Sequence, residues 1–287
     1  MNTIQTVTVI GAGTMGHGIA QVAAQAGCDV RLADAVPGAA RRGLARIRGN
    51  LDGAVERGKA TPDARQAALA RLSVSDDVAA AATGADLVIE AIPEQLQLKR
   101  ELFGRLSVLL PPPSILATNT SSLSVGAIAE AAEHPDRVVG MHFFNPVHLM
   151  KLVEVVTHPA TSDATRESAV AMARRLGKEP IVVKDSPGFA SSRLGVVLGL
   201  EAMRMLEEGV ASAEDIDRAM TLGYNHPMGP LRLTDLVGLD VRLAIARHLH
   251  ATLRSDRYAP PANLERLVAE GKLGKKTGQG FYTWTEP

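Results

Sequence analysis

Residues 7–16 read Val-Thr-Val-Ile-Gly-Ala-Gly-Thr-Met-Gly, and no other part of the chain says more about its architecture. Four β-branched residues lead into a G-x-G-x-x-G turn, and apolar residues at helical spacing follow it. The pattern predicts a strand, a tight turn and a helix, a context in which each glycine has a physical role. Gly11 permits the turn, Gly13 lets the backbone approach a pyrophosphate, and Gly16 lets the helix pack closely against the strand.

An acidic residue follows the turn at the distance that a dinucleotide site requires. Asp34 comes directly after a second apolar run, Val30–Ala33. A carboxylate there binds a ribose 2′-hydroxyl and repels a 2′-phosphate, so NAD is favoured over NADP. A glycine-rich turn that merely connects two elements would explain one glycine but not three glycines followed by an acid. We therefore predict a dinucleotide site formed by Gly11, Gly13, Thr14, Met15, Gly16 and Asp34.

The composition excludes several classes of protein. The chain has 287 residues, 46% of them hydrophobic, which is enough for roughly two domains with substantial cores. Its formal net charge is zero and it has no Lys/Arg-dense run, so we expect no nucleic-acid partner. The single cysteine, Cys28, excludes an internal disulfide and fits a reducing compartment. We expect no leader, no membrane span and no metal site, and hence a soluble cytoplasmic protein.

The first 185 residues alternate between short apolar runs and amphipathic stretches. This alternation of strand and helix patterns predicts a Rossmann-type, doubly wound and mostly parallel sheet over residues 1–185. Residues 37–71 are predicted to hold two helices with a break near Gly58. Further strands are predicted at Asp86–Ala91, Ser114–Thr118, Arg137–Met141, Leu152–Val156 and Ile181–Val183.

The pattern changes near residue 186, and no alternating strand pattern appears between Phe189 and Glu270. We predict an all-helical C-terminal domain over residues 186–287 that closes the cleft or forms a dimer. Its second helix begins near Ser212, and its third runs from about Leu231 towards Leu253. Its first helix ends near Gly209 and is predicted to present one apolar face, formed by Leu194, Val197, Leu198, Ala202, Met205 and Leu206.

Polar residues follow three of the predicted strands, where ligands bind in open α/β sheets. These loops carry Glu94, the run Thr118–Ser122, and His142 with Asn145. A histidine exchanges protons near neutral pH, and Glu154 in the next strand could fix its tautomer. Alone, His142 would more often be a structural hydrogen-bonding residue and the polar run merely a loop. A carboxylate inside an apolar strand needs a partner, so the two together favour catalysis.

Nine segments of the chain, in order, resemble the 3-hydroxyacyl-CoA dehydrogenase family, in particular its bacterial 3-hydroxybutyryl-CoA dehydrogenases. The resemblance covers the whole chain and is far more specific for the family than for the substrate. The segments are VIGAGTMGHGIAQ, ADLVIEAIPE, LATNTSSLS, GMHFFNP, MKLVEVV, DSPGF, EEGVASAEDIDRAM, HPMGPLRLTDLVGLD and GKLGKKTGQGFY.

The resemblance implies an NAD-dependent oxidation of an (S)-3-hydroxyacyl-CoA, of short chain, to the 3-oxoacyl-CoA, together with the reverse reaction and a homodimeric assembly. His142 matches the family's acid/base, Glu154 the glutamate that orients it, and Ser121 a serine that contacts cofactor and substrate. Four further matches imply contacts with NAD: Glu94, Lys99, Asn145 and Lys276. By ungapped count from Asp34, the CoA contacts fall at Asn50 and Arg57, where some members have Ser and Lys.

One position departs from the family pattern. Many members read GF-x-x-N-R where this chain has Gly188–Arg193, so Ser192 replaces an asparagine that borders the reacting carbonyl. A serine keeps one donor but loses reach, so we expect it to bond through a water or the site to depend more on Ser121. The change leaves His142 and Glu154 intact, and it therefore affects rate and acyl preference rather than the reaction.

Three alternatives stay open from the sequence. The substrate could be a dicarboxylyl-CoA or a free hydroxy acid, oxidised on the same fold. The chain could also be a catalytically silent NAD(H)-binding protein, because folds outlive their chemistry. Intact His142 and Glu154 argue against the silent protein, which NADH binding without turnover would favour.

Overall fold

The computed structural model describes residues 4–285 of the chain. It divides into two compact units, one ending at Ser186 and the other beginning at Pro187. We call them the N-terminal and the C-terminal unit.

The N-terminal unit is built on one eight-stranded sheet with the strand order β3-β2-β1-β4-β5-β6-β7-β8. All neighbouring strands are parallel except β6 and β7, which run antiparallel. The predicted mostly parallel sheet is thus confirmed. The strands are β1 Thr6–Ile10, β2 Asp29–Ala33, β3 Leu72–Ser75, β4 Leu87–Glu90, β5 Ile115–Thr118, β6 Val138–Phe143, β7 Leu152–Thr157 and β8 Glu179–Lys184.

Helices pack on this sheet, and every residue of β4, β5 and β6 is buried. A strand buried on both faces carries a continuous apolar run rather than an alternating one, as these strands do. The helices of the unit are α1 Thr14–Gln25, α2 Ala39–Glu56, α3 Pro62–Ala70, α4 Val78–Ala82, α5 Leu96–Leu109, α6 Val125–Ala129 and α7 Asp163–Arg175.

The strand–turn–helix prediction for residues 7–16 is confirmed. Gly11 has a φ of 98°, and a Cβ there would lie 2.5 Å from the carbonyl oxygen of Ala91. A Cβ on Gly16 would lie 1.6 Å from the carbonyl oxygen of Gly11. Only glycine therefore fits where β1, α1 and the chain after β4 meet.

Several elements of this unit have no counterpart in the sequence predictions. Strand β3 lies at the edge of the sheet and alternates apolar residues with Ser73 and Ser75, so it lacks the apolar run that marks a buried strand. Helices α4 and α6 have five residues each, which is too short for a helical period to show. Helix α7 was also not predicted.

The C-terminal unit is helical as far as residue 269 and ends in an irregular segment with two isolated β-bridges. The Asp235 carboxylate, which is fully buried, ties this segment down by accepting hydrogen bonds from the Phe281 and Tyr282 amides and the Trp284 indole. The helices are α8 Ser191–Glu207, α9 Ala213–Gly223, α10 Pro230–Val237, α11 Leu239–Leu253 and α12 Ala262–Ala269.

One prediction for this unit is wrong and a second holds only in part. The expected single helix from Leu231 to Leu253 is two helices, because Gly238 adopts a φ of 104° and interrupts the chain. Of the apolar face expected on α8, Ala202 is buried and Val197, Met205 and Leu206 pack against the core of the unit, but Leu194 is 68% exposed. The buried side chains of Val196, Leu200 and Met203 were not assigned to that face, because apolar residues surround most of the helix.

Within residues 4–285, no helix has both the length and the apolar composition that crossing a bilayer would require.

Candidate active site

A cavity of about 1110 Å³ opens in the N-terminal unit at the carboxyl ends of β1, β2, β4, β5 and β6. The loops that follow these five neighbouring strands meet there. In open α/β sheets, ligands bind at this edge. Of the residues predicted for the site, the cavity brings together Gly11, Gly13, Thr14, Met15, Asp34, Glu94, Ser121, His142 and Asn145.

One end of the cavity has the features of a dinucleotide site. A Cβ on Gly13 would meet nothing within 4 Å, so the backbone borders open space immediately before the first turn of α1. The Asp34 carboxylate accepts hydrogen bonds from the amides of Ala12 (2.8 Å) and Val36 (2.9 Å), which fixes it at the wall. Unpaired amides at a helix N-terminus suit a pyrophosphate, and a fixed carboxylate suits a ribose.

His142 and Glu154 form a buried hydrogen-bonded pair at the other end. They face each other in the register of β6 and β7, and His142 Nδ1 lies 2.7 Å from Glu154 Oε2. Glu154 is fully buried and His142 is 6% exposed. The Phe144 ring packs at 4.5 Å from the imidazole. A carboxylate at Nδ1 fixes the orientation of the ring and stabilises an imidazolium when one forms.

Asn119 connects the loop that follows β5 to the last residue of β6. Its Oδ1 accepts a hydrogen bond from the Phe143 amide at 2.8 Å, next to His142. In the sequence this asparagine is only one member of a polar run. Its partner lies 24 residues away, and no local pattern indicates the contact.

Glu94 organises the loop that carries Ser121. Its Oε1 accepts hydrogen bonds from Thr120 Oγ1 (2.6 Å) and from the amides of Ser121 (2.9 Å) and Ser122 (3.1 Å). Burial raises the pKa of Glu94, but these hydrogen bonds and the charge of Lys99 outweigh that effect and hold it below its ordinary value. Glu94 is therefore an anion that accepts several hydrogen bonds from this loop. Ser121 lines the cavity beside it.

Lys99 lies behind this wall rather than in it. The side chain is 1% exposed, and Nζ lies 2.6 Å from Glu90 Oε1 and 3.3 Å from Glu94 Oε2. Burial raises the pKa of Glu90, against the attraction of Lys99 and hydrogen bonds from Thr118 and the Ile92 amide. Sequence reasoning missed Glu90, although a carboxylate at the end of an apolar strand was a usable signal. A contact between Lys99 and the cofactor stays a prediction.

The two residues predicted to contact CoA lie on α2 and at its end, outside the lining of this cavity. Asn50 donates a hydrogen bond to Gln21 Oε1 at 3.0 Å. Arg57 is exposed at the C-terminal end of α2, and its charge is among the smaller causes, after burial, that lower the pKa of His148. A role for Asn50 and Arg57 in substrate binding stays a prediction.

Two other predicted site residues belong to the C-terminal unit. Ser192 is the second residue of α8 and is half-buried. Lys276 Nζ lies 2.5 Å from Oδ1 and 2.7 Å from Oδ2 of Asp240, and its hydrogen bonds lower the pKa of that carboxyl. Their contacts with substrate and cofactor stay predictions.

Among residues 4–285, no group of three or more His, Cys, Asp or Glu side chains is arranged to hold a metal ion.

Comparison with known proteins gives the same family for both units. Residues 6–186 match the model of the 3-hydroxyacyl-CoA dehydrogenase NAD binding domain. Residues 188–284 match that of the 3-hydroxyacyl-CoA dehydrogenase C-terminal domain.

Individual relatives are similar along the whole chain. A 3-hydroxybutyryl-CoA dehydrogenase of Bradyrhizobium diazoefficiens is 44% identical over 284 residues, covering 98% of this chain and 96% of the relative. A 3-hydroxyadipyl-CoA dehydrogenase of Escherichia coli is 45% identical over 99% of this chain, which corresponds to 60% of that protein. The crystal structure of (S)-3-hydroxybutyryl-CoA dehydrogenase from Ralstonia eutropha has a TM-score of 0.95 at 40% identity, covering 99% of this chain and all of that one.

Proposed function

The chain belongs to the 3-hydroxyacyl-CoA dehydrogenase family, and on this premise we propose that it oxidises short-chain (S)-3-hydroxyacyl-CoA to 3-oxoacyl-CoA with NAD and catalyses the reverse. The observation that carries the proposal is one cavity lined by both the glycine turn with Asp34 and His142, whose Nδ1 is hydrogen-bonded to the buried Glu154. The names of relatives support 3-hydroxybutyryl-CoA as the substrate.

The proposed chemistry needs a group that exchanges a proton at the 3-hydroxyl. NAD⁺, when bound, supplies the acceptor for the hydride from carbon 3. His142 engages Glu154 through Nδ1, so Nε2 is the nitrogen that takes the hydroxyl proton. Glu154 stabilises the imidazolium that results. A positioned general base of this kind contributes roughly 10²–10⁴ in rate.

Hydroxyl groups hold the substrate oxygen in this proposal. Ser121 lies at the cavity wall, where Glu94 fixes its amide. Ser192 offers a shorter donor where many members of the family have asparagine, so Ser121 carries more of the task. The oxygen is then held while the proton and the hydride leave.

The CoA moiety is proposed to lie along α2 and the exposed cationic side chains at its end. Arg57, at the C-terminal end of α2, and Lys59 just beyond it are both exposed on this surface of the N-terminal unit. Polyphosphates bind where cationic side chains cluster. Asn50 lies on the same helix as a neutral hydrogen-bonding group.

We further propose a cytoplasmic homodimer that forms through the C-terminal unit. That unit exposes large apolar side chains, among them Leu222 and Tyr224, each 76% exposed, and Leu194. Exposed apolar surface of this kind marks protein interfaces. The only cysteine, Cys28, is a buried free thiol, which suits a reducing compartment.

The proposal is tested by following the loss of NADH absorbance with acetoacetyl-CoA. Acetoacetate replaces the thioester in one control, and NADPH replaces NADH in another. Fast oxidation that needs both the CoA ester and NADH is the expected result. Turnover of acetoacetate would instead favour a dehydrogenase of free acids.

A further arm with 3-oxoadipyl-CoA measures acyl preference, since relatives are named for both acyl groups. We expect higher kcat/KM for the acetoacetyl ester. NADH binding without turnover of any of these compounds would overturn the proposed activity and favour a silent binding protein.

A further inference from the structure

The carboxyl end of β4 holds a buried ion pair to which the proton transfer proposed for His142 assigns no role. Glu90 is the last residue of β4 and is fully buried, and Lys99 in the first turn of α5 is 1% exposed. Their charged atoms lie 2.6 Å apart. Removing two charges from water costs about as much as their attraction returns, so stability alone does not explain the pair.

The pair connects directly to the loops of the cavity. Glu90 Oε2 accepts a hydrogen bond from Thr118 Oγ1 at 2.7 Å, and Oε1 accepts one from the Ile92 amide at 2.8 Å. Lys99 Nζ reaches 3.3 Å from Glu94 Oε2. The other oxygen of Glu94 holds the Ser121 amide. A continuous series of contacts thus runs from Glu90 through Lys99 and Glu94 to Ser121.

We propose that Glu90 and Lys99 are positioning residues that set the place of Ser121 through Glu94. The inference rests on the proposed function, in which Ser121 holds the substrate oxygen. Glu94 is partly exposed, with 36% of its side chain accessible, so water competes for its oxygens. Lys99 fixes one oxygen from the interior, which leaves the other directed at the loop.

The charge balance explains why both members of the pair are needed. Lys99 alone would neutralise Glu94 and weaken its hold on the loop amides. Glu90 supplies the anion that keeps the ammonium in the interior, so Glu94 retains a negative charge for the donors of residues 120–122. Displacing a substrate-binding group by about 1 Å costs on the order of 10²-fold in rate, so a loosened loop is measurable.

The experiment compares Glu90→Gln, Lys99→Met and the double variant in kcat, KM and thermal unfolding. Each single variant leaves a buried charge without its partner, so we expect lower stability and a fall in kcat of about ten-fold or more. The double variant removes both charges and regains stability, yet its kcat stays low because Glu94 has lost its anchor. Recovery of both stability and kcat would make the pair merely structural and overturn the inference.

A double-mutant cycle then tests whether the effect passes through Ser121. We expect Lys99→Met to lower kcat much less in a Ser121→Ala background than in the native background, because the residue being positioned is already absent. Equal effects in the two backgrounds would contradict the inference. Arg100→Met, at the next position of α5, is the matched control: it removes the ion pair with Glu130 and a hydrogen bond to the Ala127 carbonyl, neither of which belongs to this series of contacts, and should leave kcat within about two-fold.

Amide hydrogen exchange provides a readout that does not depend on turnover. Lys99→Met should accelerate exchange at residues 119–123, while Arg100→Met should not. If the native protein failed to turn over any acyl-CoA, the proposed function would fail while this measurement still tested the positioning. Unchanged protection of residues 119–123 in Lys99→Met would refute the positioning itself.

Discussion

His142 and Glu154 lie directly opposite each other on the antiparallel strands β6 and β7, with Nδ1 and Oε2 2.7 Å apart. The register of two buried strands therefore sets the geometry of the pair, and no flexible loop intervenes. A one-residue slip between these strands would turn one of the two side chains to the other face of the sheet. The sheet therefore holds the imidazole of His142 in one position.

The first prediction concerns the proposed base. His142→Gln should lower turnover with acetoacetyl-CoA by at least ~10²-fold, because glutamine cannot exchange the proton. NADH affinity, measured by fluorescence titration, should change little, since the glycine turn and Asp34 are untouched. His248→Gln, an exposed histidine of α11, serves as the control. Unchanged turnover in His142→Gln would show that His142 is not the base.

Glu154→Gln should lower turnover less than His142→Gln does. Glutamine can still hydrogen-bond to the ring, but it no longer stabilises the imidazolium electrostatically. The comparison is made on kcat at saturating NADH, with thermal unfolding measured alongside because Glu154 is fully buried. A Glu154→Gln protein with native kcat would show that the carboxylate has no part in the proton transfer.

Asp34→Asn should weaken the preference for NADH over NADPH by about ten-fold, through loss of repulsion of the 2′-phosphate. The amides of Ala12 and Val36 donate to different oxygens of Asp34, so the single asparagine oxygen keeps one of the two hydrogen bonds, and the turn should persist. The ratio of kcat/KM values for the two cofactors is the measurement. An unchanged ratio of the two kcat/KM values would show that the ribose 2′ position does not lie at Asp34.

The lowered pKa of Glu94 predicts a pH-dependent contribution to stability. The contribution is fully present above the ordinary value of 4.5 and is lost as pH falls below it through the folded-state pKa. The unfolding free energies of the native protein and Glu94→Gln should therefore differ above pH 5 and converge in more acid solution. Glu90, whose pKa is raised, is present in both proteins but shares Lys99 with Glu94, so the difference reports on the Glu94 carboxylate together with that shared contact. If the unfolding free energies of the two proteins differed by the same amount down to pH 3, the lowered pKa of Glu94 would be contradicted.

Leu194→Glu should shift the protein from dimer to monomer in sedimentation experiments, because it places a charge on the exposed apolar surface of α8. Leu194 is 68% exposed, so the substitution should cost little within one subunit. Val108→Glu, at a 74% exposed position of α5, is the control and should leave the sedimentation coefficient unchanged. A monomeric native protein, or a Leu194→Glu dimer of native stability, would exclude this interface.

Local pattern was enough for the elements that position the dinucleotide. The β-branched run, three glycines and Asp34 act within 28 residues of chain, so their spacing carries most of the information. The nine matched segments likewise indicated the family, which the family models confirm. The pairing of His142 with Glu154 could be suggested because a buried carboxylate in an apolar strand needs a partner.

Contacts that depend on three-dimensional packing were beyond that reasoning. Spacing along the chain did not show that the Lys99 ammonium is buried between Glu90 and Glu94. The break at Gly238 was missed because helical periodicity continues on both sides of it.

The sequence by itself determined the family, the mostly parallel sheet and the chemical types available at its carboxyl edge, because these depend on composition and on spacing along the chain. The tertiary structure decided which atoms meet. Glu94 accepts a hydrogen bond from the Ser121 amide, Lys99 is buried, and Leu194 of α8 is exposed. Burial and hydrogen bonding are properties of surfaces brought together from distant parts of the chain, and a linear pattern does not contain them.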